Sequence, residues 1–456
     1  MLLKATLSHP LALVTKPASA VCGKHVNRAP NDQLQWRLYA QVPMSHTTLT
    51  PQRERWLLLT LAGIQFTYIL DFMVMMPLGP QFTRLFDISD AQFGALVSAY
   101  TFSAGASGLA ASAYLDRFDR KRLLVVLYTL FALSTMGCAL AMTYGQFFVA
   151  RVGAGLFGGV LSALIQTILA DVVPFERRGR AMGVVMSSFS VSTVAGVPLG
   201  LYLAAAFSWH APFWLVVGLC GVFGAMAYWT VPQLRAHLDH PDRHSVWGEI
   251  VATVQERNHQ WSFAFTMVSI LTGFMIIPYI TIYLETNLAV SNRDIPLLYL
   301  AGGAATLVSA RWIGVLSDRL GKRYMYERLA ALVGIPLFTL TLMPPAPFWV
   351  LTLVYVLFFV IVSGRMIPSM AVVSAAANPR RRGTFMAISG ALQSFAMGLA
   401  ALVGGLIIGR SADGQVTGYW ITALLGTLAS FASVWLIRRI QVPEGKGPIS
   451  APKIDT

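Results

Sequence analysis

Apolar runs of about twenty residues, separated by short polar loops, recur from residue 56 to residue 437. A helix of about twenty residues, rising about 1.5 Å per residue, crosses the hydrocarbon core of a bilayer, so each run predicts a membrane span. Twelve spans are expected. Six lie near 56–78, 92–114, 123–143, 146–170, 181–206 and 212–231, and six near 262–284, 295–316, 325–344, 348–376, 384–409 and 417–437. The pattern divides the chain into an N-terminal extension (1–50), a first six-helix bundle (51–231), a polar linker (232–260), a second six-helix bundle (261–440) and a tail (441–456). The linker predicts one short amphipathic helix near 246–254. The tail is rich in Pro and Gly and is expected to be disordered, as is the extension. Met44 begins a stretch typical of a short start before a first span, and translation is expected to begin there.

The halves repeat one another. Gly314-Val-Leu-Ser-Asp318-Arg319-Leu-Gly321-Lys322-Arg323 follows span 8, and a weaker copy, Asp116-Arg117-Phe-Asp119-Arg120-Lys121-Arg122, follows span 2. Arg178-Gly179-Arg180-Ala-Met182 and Arg382-Gly383-Thr-Phe-Met386 match at almost the same offset. Two matched pairs at one spacing indicate a duplicated unit. Basic residues in short loops explain the charge, but not the shared order and offset.

Composition agrees with a membrane protein. The chain is 55% hydrophobic and only 12% charged, against roughly 25% charged in soluble domains. The net charge of +14 does not point to nucleic acid, because lysine and arginine gather in the loops after spans 2, 4, 6, 8 and 10. The opposite loops hold only Arg84, Arg293 and Arg410. By the positive-inside rule the basic side is cytoplasmic, with both termini there. Cys22, Cys138 and Cys220 have neither disulfide nor metal spacing. No phosphate-cradling loop with its lysine is present. All eight histidines fall outside the span cores, so nothing suggests an enzyme.

The Gly-x-Leu-x-Asp-Arg-x-Gly-Lys-Arg loop after span 8 resembles the signature loop of the major facilitator superfamily. In the copy after span 2, Ser112 and Asp119 replace its glycines. Arg151-Val-Gly153-Ala-Gly155 is similar to the family's arginine-bearing motif in span 4. Ala195-Gly196-Val-Pro198-Leu-Gly200 resembles the span-5 motif of its drug:proton antiporter and sugar-efflux branch. The resemblance covers about residues 50–440. It implies an all-α fold of two pseudo-symmetric six-helix bundles around a cavity, alternating access, a monomer in the bacterial inner membrane, a small-molecule substrate and no cofactor beyond a coupling proton. Proton-driven export of drug-like or sugar-like solutes is the expected activity. A facilitator or importer of the same fold, or a receptor or enzyme built on it, is the alternative.

The candidate site residues follow from where charge falls in the spans. Asp71 is the acidic residue placed clearly inside one, about 15 residues into span 1 and so roughly 22 Å deep. An ionisable group in a span is a functional candidate by default. Removal from water favours its protonated form, whereas a neighbouring cation favours the carboxylate. Arg151, at similar depth in span 4, is the candidate neighbour, so Asp71 is either a proton site or half of a structural ion pair. Arg365, well inside span 10, is expected to face the cavity or a partner. Gln65, Tyr68, Gln166, Tyr279, Tyr283 and Gln393 are further cavity candidates, Tyr279 and Tyr283 sharing a face of span 7 by their spacing. The resemblance makes Asp116, Arg117, Arg120, Asp318, Arg319, Lys322 and Arg323 a cytoplasmic gate, each aspartate meeting the start of span 11 or span 5. Gly196, Pro198 and Gly200 predict a kink in span 5 that packs on Gly302 and Gly303 of span 8.

Overall fold

Span 1 starts at Pro51, a residue suited to a helix start because its missing N–H has no partner to lose there. In this computed structural model, which describes residues 50–234, 246–378 and 381–442, nearly everything is helical. Most of the expected extension, the first part of the linker after residue 234 and most of the tail lie outside the described residues. Ten helical stretches are long and apolar enough to cross a membrane: Pro51–Leu85, Arg120–Leu140, Tyr144–Val172, Arg177–Ala206, Ala211–Thr230, Arg257–Thr286, Ile295–Leu320, Phe348–Ala376, Arg382–Ile407 and Tyr419–Arg439. They are spans 1, 3–8 and 10–12. Span 2 is the single helix Asp90–Tyr114. Span 9 is Lys322–Leu332 followed by Gly334–Thr341.

Prolines place the breaks. A proline removes the hydrogen bond to the carbonyl four residues earlier. Pro278 frees Phe274, where the first part of span 7 ends; a tight turn over Ile277–Tyr279 leads into Ile280–Thr286. Pro336 frees Leu332, and span 9 breaks there. Pro368 frees Gly364, and Arg365 stands at the junction of the two parts of span 10, Phe348–Gly364 and Met366–Ala376. In span 5, Pro198 is preceded by a widened turn over Ser192–Gly196, between Phe175–Val191 and Val197–Ala206.

Elsewhere the ends follow ordinary capping. Ser89 and Gln92 close a capping box at span 2. Asp119, which departs from the glycine of the signature loop, caps span 3 by accepting the N–H groups of Lys121 and Arg122 at 2.9 and 3.2 Å. A short helix, Val246–Gln255, precedes span 7, and a two-stranded hairpin, Gly409–Arg410 with Val416–Thr417, joins spans 11 and 12.

The halves meet unevenly. Spans 2 and 11 pack together along their length. Ser98 donates to the Gly398 carbonyl at 2.7 Å, and Phe102 and Phe395 lie 5.9 Å apart. A Cβ on Gly105 would stand 3.0 Å from the Ala391 carbonyl, so only glycine allows this approach. Spans 5 and 8 touch instead through the widened turn and the segment after it. There a Cβ on Gly303 would stand 2.9 Å from the Thr193 carbonyl. Towards the basic face the space around Gly179 and Gly183 of span 5 and Gly314 of span 8 is open. Between spans 5 and 8 the halves therefore meet at the widened turn and the segment after it and part towards the basic face, while spans 2 and 11 hold them together towards both faces.

Candidate functional site

Asp71 lies four residues before the end of the first helix of span 1, and Arg151 lies in span 4. Both side chains are fully buried. Arg151 Nη1 donates to Asp71 Oδ2 at 2.8 Å and, more weakly, to the Asp71 carbonyl at 3.4 Å. Thr135 of span 3 donates to Asp71 Oδ1 at 3.4 Å. The guanidinium carbon of Arg151 lies 4.4 Å from the centre of the Tyr100 ring of span 2, within the range of a cation–π contact. Its Nε and Nη2 make no hydrogen bond of ordinary geometry among the described residues, the Cys138 thiol being their polar neighbour. Four spans of the first half thus converge on one dehydrated ion pair. The pair is stable only while both charges are present, because either alone would be an uncompensated charge in a low-dielectric interior.

An aromatic series leads from this pair to the other half. Tyr100 stacks on Phe72 at 5.3 Å, and Phe72 on Phe274 of span 7 at 6.5 Å. Beyond it, on the face away from the basic loops, two ion pairs bridge the halves. Arg84, after span 1, pairs with Glu285 at the end of span 7. Arg410 of the hairpin grips Asp90 with two bonds of 2.9 Å, and this interaction keeps the guanidinium more firmly protonated than usual. Asp90 itself is buried. The arginine–carboxylate pairs Arg120–Asp171, Arg177–Glu54, Arg381–Glu256 and Arg438–Glu327 each stay within one half.

Several expected site residues sit elsewhere. Tyr279 and Tyr283 do not share a face, because the break at Pro278 interrupts the helical repeat. Tyr279 donates to the Ala401 carbonyl and meets Phe93 edge-on. Tyr283 turns back into the second half, donating to the Met343 carbonyl at 3.1 Å and lying against Tyr419. Arg365 does not open to the space between the halves. It is buried in the second half, donating to the Ser269 carbonyl of span 7 at 2.9 Å. Arg120 is no gate between halves; it is buried against Asp171 of span 4.

Gly196 faces Leu70 and Phe66 of span 1 and Gly200 faces Val74, while the widened turn and the segment that carry them pack on span 8 as expected. Of the two span-8 glycines, Gly303 meets span 5 and Gly302 meets Tyr355 and Phe359 of span 10. Asp318 is exposed and makes no hydrogen bond or ion pair among the described residues, so it is not brought to the start of span 5. Arg117, Arg319 and Lys322 are also exposed. Arg323 donates to the Ile440 carbonyl of its own half at 2.6 Å. The side chain of Asp116 lies outside the described residues. Gln65 is buried with its carbonyl oxygen unpartnered, its amide reaching Met186 Sδ at 3.8 Å. Tyr68 and Gln393 are half-buried and Gln166 is exposed.

Sequence reasoning missed Tyr100 and Thr135, which look like ordinary span residues, and the two ion pairs bridging the halves. A signal for the ion pairs existed: Arg84 and Arg410 are cations on the side depleted of them, where each needs a specific partner.

The model of the Major Facilitator Superfamily matches residues 61–323 and 262–454. An uncharacterized MFS-type transporter of Bacillus subtilis (strain 168) is 22% identical over 83% of this chain and 95% of its own length. Multidrug resistance protein 2 of the same organism is 21% identical over 58% of this chain and 67% of its own. Among solved structures, a D-xylose-proton symporter superposes with a TM-score of 0.68 at 20% identity, covering 88% of this chain and all of the other.

Proposed function

The chain belongs to the major facilitator superfamily, and from that premise we propose that it is a proton-coupled exporter of small organic solutes. The observation that carries this reading is the fully buried Asp71–Arg151 pair, which joins four spans of the first half beside its seam with the second. With the basic face in the cytoplasm, both termini are cytoplasmic, and the parting of spans 5 and 8 on that face supports reading the state as inward-facing. In it Arg151 and Thr135 both donate to the Asp71 carboxyl, one to each oxygen, an arrangement that suits the ionised form after its proton has left. The relative named a multidrug resistance protein supports organic solutes as the class of substrate.

The geometry supplies a way to link protonation to access. A proton on Asp71 removes the charge that holds Arg151. The guanidinium then interacts chiefly with Tyr100, which belongs to span 2. Span 2 also carries Ser98 and Asp90, two of the contacts that hold the outer side closed. Protonation from outside would therefore favour one packing of span 2, and release to the cytoplasm the other. Proton entry down its gradient drives solute in the opposite direction.

The test is export from cells lacking their own efflux pumps, with a panel of dyes, antibiotics and sugars, with and without a protonophore. Wild type is expected to lower accumulation, and both Asp71→Asn and the protonophore to abolish that effect. Protonophore-sensitive export that survives Asp71→Asn would remove Asp71 from the coupling step. Equal accumulation with and without the protein for every compound would count against export.

A further inference from the structure

Three arginines are buried among the described residues: Arg120, Arg151 and Arg365. Arg120 meets Asp171, and Arg151 meets Asp71. Arg365 is 1% exposed and pairs with no carboxylate among the described residues. Its Nη2 donates to the Ser269 carbonyl, the Tyr326 hydroxyl lies beside the guanidinium, and its Nε and Nη1 make no hydrogen bond of ordinary geometry among the described residues. A guanidinium does not shed its proton to escape such a setting. An unpaired charge in a span is among the costliest arrangements a membrane protein can hold.

The surrounding groups are neutral. Ser433 of span 12 donates to the Ser430 carbonyl at 2.6 Å, so its oxygen accepts the Tyr326 hydroxyl at 2.7 Å. The Tyr326 oxygen, its own hydrogen committed, accepts from Ser269 Oγ at 2.9 Å. Spans 7, 9 and 12 therefore close a hydroxyl chain beside Arg365, with every hydroxyl hydrogen already used and no negative charge anywhere in it. Arg365 stands at the break in span 10 that Pro368 enforces, roughly 16 Å from the basic-face end of that span.

We propose that Arg365 is the centre of a monovalent-anion site inside the second half, accepting a carboxylate or halide on its unpartnered nitrogens. A single positive charge calls for a single negative one, and charge-assisted bonds to N–H donors are the strong kind. The same chemistry could come from inorganic chloride or from the carboxyl group of a transported solute. The site is independent of the direction of transport and of Asp71, which belongs to the other half.

The test uses the purified full-length chain in detergent, in gluconate buffer at constant ionic strength, and measures binding of radioactive chloride by equilibrium dialysis. Wild type is expected to bind chloride saturably. Arg365→Gln is expected to weaken that binding about tenfold or more. Arg365→Lys keeps the charge and is expected to retain weaker binding, which covers the case in which Arg365→Gln does not fold. Unlabelled acetate that displaces the chloride identifies a carboxylate-competent site; chloride binding that acetate leaves intact identifies a halide site. If wild type binds neither chloride nor acetate, or if a monodisperse Arg365→Gln protein binds as wild type does, the proposal is wrong.

Discussion

The Arg151 guanidinium lies over the Tyr100 ring at 4.4 Å, on the side of a charge whose carboxylate partner is Asp71. This makes Tyr100 the contact between the ion pair and span 2. A desolvated cation–π contact is worth about 2 kcal/mol, enough to bias a two-state equilibrium roughly thirtyfold. Tyr100→Leu is therefore expected to reduce protonophore-sensitive export severely while the protein still reaches the membrane. Tyr100→Phe keeps the ring face and loses only the long 3.4 Å bond to the Tyr68 carbonyl. It should export nearly as wild type does. Equal activity of the leucine and phenylalanine variants would separate Tyr100 from coupling.

Removing one member of the ion pair should be worse for stability than removing both. Asp71→Asn leaves Arg151 as a buried charge without a counter-charge, at a cost of about 3–5 kcal/mol. Asp71→Asn with Arg151→Gln removes both charges, and much of that cost is relieved. Thermal unfolding of the purified proteins in detergent is expected to place the double variant above either single one. Additive losses would mean that the two residues do not act as a pair.

The depth of Asp71 and Arg151 was legible in the sequence, because a fixed rise per residue converts position in a span into height in the membrane. Their distance was not, since it depends on how spans 1 and 4 rotate. Direction failed where prolines intervene: Tyr279 and Tyr283 share a face only in an unbroken helix, and Pro278 breaks this one. Arg365 was legible as a charge needing a partner, yet which way it points is set by the junction in span 10. Tyr100 gave no sign, because an aromatic residue against a buried cation looks like one against lipid. Asp90, Arg84, Glu285 and Arg410 look like surface charges at span ends, and become contacts between halves only when the halves approach.

Those outer contacts should open and close during transport. In a chain with its own three cysteines replaced, Arg84→Cys with Glu285→Cys places two thiols where the ion pair now bridges the halves. Oxidation is expected to lock the outer side shut and stop export, and a reductant to restore it. Each single cysteine variant should be insensitive to oxidant. A cross-linked protein that still exports would mean that this side need not open.

Asp90 and Arg410 offer an independent check of the same closure. Each member removed alone should loosen the outer side, seen as faster labelling of a cysteine placed at Phe93. Exchange of the two charges, Asp90→Arg with Arg410→Asp, should recover part of the closure. Arg410 is about a third exposed, so solvent weakens the pair and the effect of either single change should be modest.

Gly303 marks the place where spans 5 and 8 must come closest. A Cβ there would stand 2.9 Å from the Thr193 carbonyl and 3.0 Å from Val194 Cα, both backbone atoms that no rotamer change can move. Gly314, about three helical turns further along span 8, has open space around it, as does Gly183 of span 5. Gly303→Leu is therefore expected to prevent outer closure and abolish export, whereas Gly314→Ala and Gly183→Ala should leave the inward-facing state undisturbed. Cysteine labelling from outside separates the cases, rising for Gly303→Leu alone. Normal export by Gly303→Leu would show that the widened turn at Ser192–Gly196 can move aside, and that closure between spans 5 and 8 rests on other contacts.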